Sequence, residues 1–146
     1  MNIVCLHDKA EIAAFLDRNP ALNIYMLGDL DDFFWPATTW YGFRHAGELR
    51  QIALVYAGPD LPILLAFDVD HAAATVELLR GISYLLPRRV YAHLSEHAVQ
   101  ALCNDYQIHS DGVYLKMELT GKCRETERGN PSACTRCWAG FILTTL

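Results

Sequence analysis

Two apolar runs joined by tight-turn residues constrain this chain more than any other feature. Gln51 to Ala57 is almost continuously apolar, Gly58-Pro59-Asp60 reads as a turn, and Pro62 to Phe67 is apolar again. A strand that lacks alternation between apolar and polar residues is covered on both faces. The pair therefore predicts the centre of a sheet with helices on either side.

The flanking sequence supplies those layers. Asn2 to Leu6 is a short apolar strand. Asp8 and Glu11 have the spacing of a capping box. Ile12, Phe15 and Leu16 then form one helical face that stops near Asn19-Pro20. A second helix is expected from about Pro20, with Leu22, Tyr25, Met26 and Leu30 as its apolar face, ending in Asp29, Asp31 and Asp32. Phe33-Phe34-Trp35-Pro36 is a connector into a strand from Thr38 to Arg44, and His45 to Glu48 is the turn that follows. After the central pair come a helix from Asp70 to Leu85, a strand from Arg88 to Leu94, a helix capped by Ser95 and running through Cys103, and a strand from Val113 to Leu119. The order is β-α-α-β-β-β-α-β-α-β, an α/β fold with one mixed sheet.

Composition narrows the function classes. The chain has 146 residues, 52% of them hydrophobic and 20% charged, which suits one folded domain and excludes a disordered or fibrous chain. A formal net charge of −5 argues against nucleic acid or an anionic membrane as partner. The longest uncharged stretch, Phe33 to Phe43, is far too short to span a bilayer. The first residues show no basic segment followed by an apolar run, so a cytoplasmic location is expected. Cys5 and Cys103 lie in apolar stretches and read as buried thiols of a reducing compartment.

Charge and cysteine are unevenly spread. Residues 1–120 hold 8 Lys and Arg against 15 Asp and Glu, whereas residues 121–146 hold 4 against 2. The second segment also carries Cys123, Cys134 and Cys137, and its apolar run Cys137 to Leu143 has nothing after it to pack against. Residues 1–120 thus read as the organised domain, and 121–146 as an atypical tail, disordered or not native to the fold.

The element order, together with Leu27-Gly28-Asp29-Leu30, Trp40-Tyr41-Gly42, Val90-Tyr91-Ala92-His93-Leu94 and Tyr114-Leu115-Lys116-Met117-Glu118-Leu119, resembles the GNAT superfamily of acyl-CoA N-acyltransferases. The resemblance covers residues 3–119 and is to the N-terminal, GNAT-like half of bacterial GNAT-family N-acetyltransferases roughly twice this length. It implies a catalytic C-terminal half as partner, or self-association through the same surface, and acetyl-CoA as the cofactor of the parent family. The tail departs from the family pattern where the linker to that second half should begin, as a truncated or frame-shifted reading of a longer acetyltransferase would.

The resemblance also says where acetyl-CoA should sit. The family holds its pyrophosphate on a Gln/Arg-x-x-Gly-x-Gly/Ala loop after the fourth strand, where bare amides at a helix N-terminus attract the anion. Here that junction reads Phe67-Asp68-Val69-Asp70-His71-Ala72-Ala73-Ala74, with no glycine, no Lys or Arg, and two carboxylates. Asp70 suits a helix cap better than a phosphate site. No cofactor is expected for this chain alone.

Other candidates remain open between chemistry and structure. Tyr106 falls near the position where the family places a tyrosine that protonates the leaving thiolate; it also suits a packed helix end. A stand-alone acyltransferase with an atypical loop would use it. Trp35, Trp40 and Tyr41 would line a substrate or partner surface, or seal the core. Asp29, Asp31 and Asp32 would hold a cation or an amine, or form a solvated helix end. The six histidines are scattered, and only His93 and His97 have i, i+4 spacing, across a strand end. Cys134-x-x-Cys137 is half of a zinc site, which Cys123 with Cys103 or His109 would complete in a zinc-stabilised interaction module.

Overall fold

The computed structural model describes residues 2–68, 71–119 and 133–146, with the backbone alone for 115–119 and 133–139. Strand β1 (Asn2–Leu6) leads into helix α1 (Lys9–Leu16), which opens as the capping signal requires: the Asp8 carboxylate accepts from the Ala10 and Glu11 amides. Helix α2 is a short Ile24–Gly28 segment, and Trp35–Ala37 is a single 3₁₀ turn. The expected start at Pro20 is replaced by a turn in which the Asn19 side-chain oxygen accepts from the Leu22 amide. Of its expected apolar face, Leu22 and Met26 are buried and Tyr25 is exposed, because five residues of helix are too few to wrap a full stripe onto the sheet.

Strands β2 (Thr38–His45) and β3 (Glu48–Tyr56) form a hairpin whose two turn residues, Ala46 and Gly47, both have positive φ. That backbone matches the right-handed twist of the strands it joins. Strand β4 (Ile63–Ala66), helix α3 (Ala72–Ile82), strand β5 (Arg89–Leu94) and helix α4 (Glu96–Val99) follow, each helix tightening into a 3₁₀ turn at its end. Helix α3 has His71 at its N-cap; the expected cap, Asp70, lies outside the described residues.

Two long strands finish the chain: β6 (Tyr106–Leu119) and β7 (Ala133–Thr145). The second is an element more than the sequence led us to expect. It inserts between β5 and β6, giving the sheet order β1-β2-β3-β4-β5-β7-β6, in which only the β4–β5 pair is parallel. The run ending at Leu143 therefore does pack, against strands that precede it in sequence, and Phe141 and Leu143 enter the core. Residues 120–132 lie outside the described residues.

Helices cover both faces of the sheet, as the central pair demanded. On β3, Ile52 and Leu54 face α1 and α2 with Leu6, Ile12, Leu16 and Trp40. Ala53 and Val55, one residue out of phase, face α3 and α4 with Leu78, Leu79 and Leu102. A glycine permits one further contact. A Cβ at Gly140 on β7 would run into the phenol of Tyr91, whose hydroxyl crosses the strand to donate to Asp111 on β6. Tyr114 donates to the same carboxylate oxygen, and these two bonds hold the Asp111 pKa below its usual range.

Cys5 and Cys103 are free and exposed, contrary to the buried thiols expected. Both stand on element surfaces that turn toward solvent although their neighbours are apolar.

Candidate functional site

The parallel pair fixes where a ligand of such a sheet would enter, at the carboxyl ends of β4 and β5. In this chain that mouth is bridged by side chains. Asp68, just past β4, has a side chain only 7% exposed and accepts a 2.7 Å hydrogen bond from Ser95 Oγ at the end of β5. His97, in the first turn of α4, places Nε2 3.1 Å from the same carboxylate oxygen. Ser95 occupies the helix-capping position predicted for it, but its hydroxyl serves Asp68 and makes no cap bond.

Serine, histidine and aspartate are also the residue types of a hydrolytic triad, and their connectivity here is not that of one. A triad needs the imidazole between the hydroxyl and the carboxylate, using its two nitrogens. Here the hydroxyl donates directly to the carboxylate, and the single atom His97 Nε2 approaches both, lying 3.4 Å from Ser95 Oγ. The arrangement is a latch across two strand ends.

Beside the latch lies a half-open cavity of about 190 Å³ between α1, the turn leading into α2, the first residues of β3 and the segment after β4. Arg18, Arg50 and His71 line it together with Phe15, Leu22 and Phe67. One wall is held rigidly by Gln51, buried at 3% exposure, whose amide nitrogen donates to the Phe67 carbonyl and to Thr75 Oγ of α3. In the sequence only the wall formed by Phe67, Asp68 and His71 is legible, because Arg18 and Arg50 come from segments far apart in the chain.

The residues singled out by sequence do not converge. Trp40 is 1% exposed, stacks on Trp35 with ring centroids 6.1 Å apart, and donates from Nε1 to Thr38 Oγ. Tyr41 is next in the strand and so points to the opposite face, where burial raises the pKa of its phenol. The aromatic cluster is thus divided between the two cores. Asp31 accepts from the Phe33 amide, and Asp32 pairs with Lys9, which holds its pKa down. Asp29 is raised by burial. Lys9 also donates to the Leu30 carbonyl and sits over the Trp35 ring, so this acidic segment ties α1 to the connector.

Tyr106 opens β6 with 3% exposure, and its phenol donates toward the carbonyls of Ser83, Leu86 and Pro87 at 3.0–3.3 Å. Burial first, and Asp105 second, raise its pKa. The hydroxyl ties the start of β6 to the segment that follows α3. Tyr106→Phe is expected to lower the unfolding free energy by about 1–3 kcal/mol, because buried carbonyls lose their donor. Urea denaturation followed by circular dichroism measures this; a loss below about 0.5 kcal/mol would remove the role.

His93 packs edge-on against Tyr91, while His97 belongs to the latch, so their helical spacing brings them to no common ligand. Cys123 lies outside the described residues. Cys134 and Cys137 fall on β7 opposite Glu118 and Leu115, whereas Cys103 follows the turn after α4 and His109 pairs with Ile142. Among the described residues no three His, Cys, Asp or Glu side chains gather as a metal site, and no helix is long and apolar enough to cross a membrane. No family model matches the chain, and no curated protein matches it. The fold is a mixed α/β sheet layered by helices, and the mouth of its parallel pair is closed by Asp68, Ser95 and His97.

Proposed function

We propose that this chain is a GNAT-like domain without an acetyl-CoA site of its own, built to pack against a catalytic N-acyltransferase half. The latch is the observation that carries the reading. A cofactor pyrophosphate needs bare amides and positive charge at the exit of β4. This exit presents a carboxylate already bound to Ser95 and His97. Opening it would strip a largely buried Asp68 of both partners, and a buried charge without partners is costly.

A docking role is supported by apolar side chains left in solvent. Ile24, Tyr25 and Phe33 are 58%, 57% and 81% exposed on α2 and the segment that follows it. Large side chains gathered outside the core mark contact surfaces more often than scattered single ones do.

Thermal unfolding with and without millimolar acetyl-CoA tests the proposal. A ligand at 100 times its Kd adds about 2.7 kcal/mol of stability, which for a chain of 146 residues raises Tm by about 5–10 °C. The expected result is no shift. A clear shift would overturn the reading and make the chain an acyltransferase in its own right.

A further inference from the structure

We infer that the cavity between α1, α2 and β3 is a binding site for a small organic carboxylate with an apolar body. The charge distribution is the starting point. Residues 1–120 contain only 8 Lys and Arg against 15 Asp and Glu, yet two of those arginines, Arg18 and Arg50, line one cavity. Arg18 has its guanidinium 4.9 Å from the Phe15 ring centroid, and it forms no ion pair among the described residues. Such stacking holds the planar fork in place while leaving its donors to a ligand.

In the lining two arginines stand against one carboxylate, Asp68. Arg50 pairs at the rim with Glu48, which is 67% exposed, and a pair that open to water is weak and exchangeable. Asp68 also borders the space, with one oxygen of its carboxylate already bonded to Ser95 and His97. His71 adds a further donor. Against these stand Phe15, Leu22 and Phe67, which offer an anionic ligand an apolar resting surface. A guanidinium fork beside aromatic and aliphatic walls fits a planar carboxylate on a ring or short chain. A half-open cavity of about 190 Å³ suits a small molecule. The Gln51 bonds to Phe67 and Thr75 hold the floor in shape before a ligand arrives.

This site shares Asp68 with the latch but requires no break in its bonds to Ser95 and His97, so it stands or falls separately from the docking proposal. Isothermal titration of the full chain with benzoate, with its neutral analogue benzamide and with inorganic phosphate as controls, tests it. Benzoate is expected to bind at millimolar concentration or tighter, and the controls at least tenfold more weakly. Arg18→Gln is expected to weaken benzoate at least tenfold, with Arg18→Lys falling between it and the unaltered chain because the charge stays and the fork is lost. Circular dichroism confirms that each variant is folded; if the Gln variant is not, the Lys variant decides. Absence of benzoate binding, equal binding of either control, or unchanged affinity in the folded Arg18 variants would overturn the inference.

Discussion

Leu143→Ala is expected to lower the unfolding free energy by about 2–5 kcal/mol, although the residue stands only three positions from the end of the chain. Leu143 is 0% exposed and lies in β7 opposite Val90 on β5 and Ile108 on β6. Its side chain enters the core built on α3 and α4, so truncation removes buried methyl groups and leaves a cavity that two flanking strands cannot close. The neighbouring Ile142 is half-buried and points to the other face. Ile142→Ala should cost visibly less, which separates core packing from a general loss of strand propensity. Guanidinium denaturation of the two variants gives the comparison. Equal and small losses would mean that β7 contributes no core, and the sheet would then have to be held at β5 by something else.

Trp40→Ala is expected to cost about 3–5 kcal/mol. Trp40 is among the largest fully buried side chains and pairs with Leu6 on β1 and Leu54 on β3. Its removal takes away the stack with Trp35 and leaves Thr38 Oγ without the indole donor. The Trp35 ring in turn supports Lys9, so the loss should spread to the contact between α1 and the acidic connector. Tyr41→Ala is the control on the adjacent position, where the side chain is only partly buried, and it should cost less. If both substitutions cost the same, the division of the aromatic cluster between two cores is not what stabilises this hairpin.

Much of the framework is legible in the sequence. The uninterrupted apolar character of Gln51 to Ala57 predicts a strand covered on both faces, and both faces are covered. Asp8 and Glu11 announce α1 because capping is local chemistry: an acceptor and the amides it satisfies lie within one turn. Where the reading went astray, partners were distant. Ser95 looks like a cap, yet its hydroxyl finds a carboxylate 27 residues away. Trp40 and Tyr41 look like one cluster, and strand alternation separates them.

The candidate sites were less legible still. Arg18 and Arg50 carry no motif in common, and only the packing of α1 and α2 over the start of β3 brings them to one cavity. Asp68 was recognised as unsuited to phosphate, but the latch it forms was not foreseen. No spacing rule connects it to Ser95 and His97, because helix α3 and strand β5 lie between them.

The sequence by itself determined the covered central hairpin and the first helix cap, both of which depend on neighbours within a few residues. Tertiary structure decided the place of β7 between β5 and β6, the closure of the strand ends and the lining of the cavity. The physical reason is range. Capping, turn backbone and side-chain alternation are fixed by contacts along the chain, whereas a late strand takes whichever unpaired edge the earlier fold leaves open, and a site forms from whatever side chains that pairing brings together.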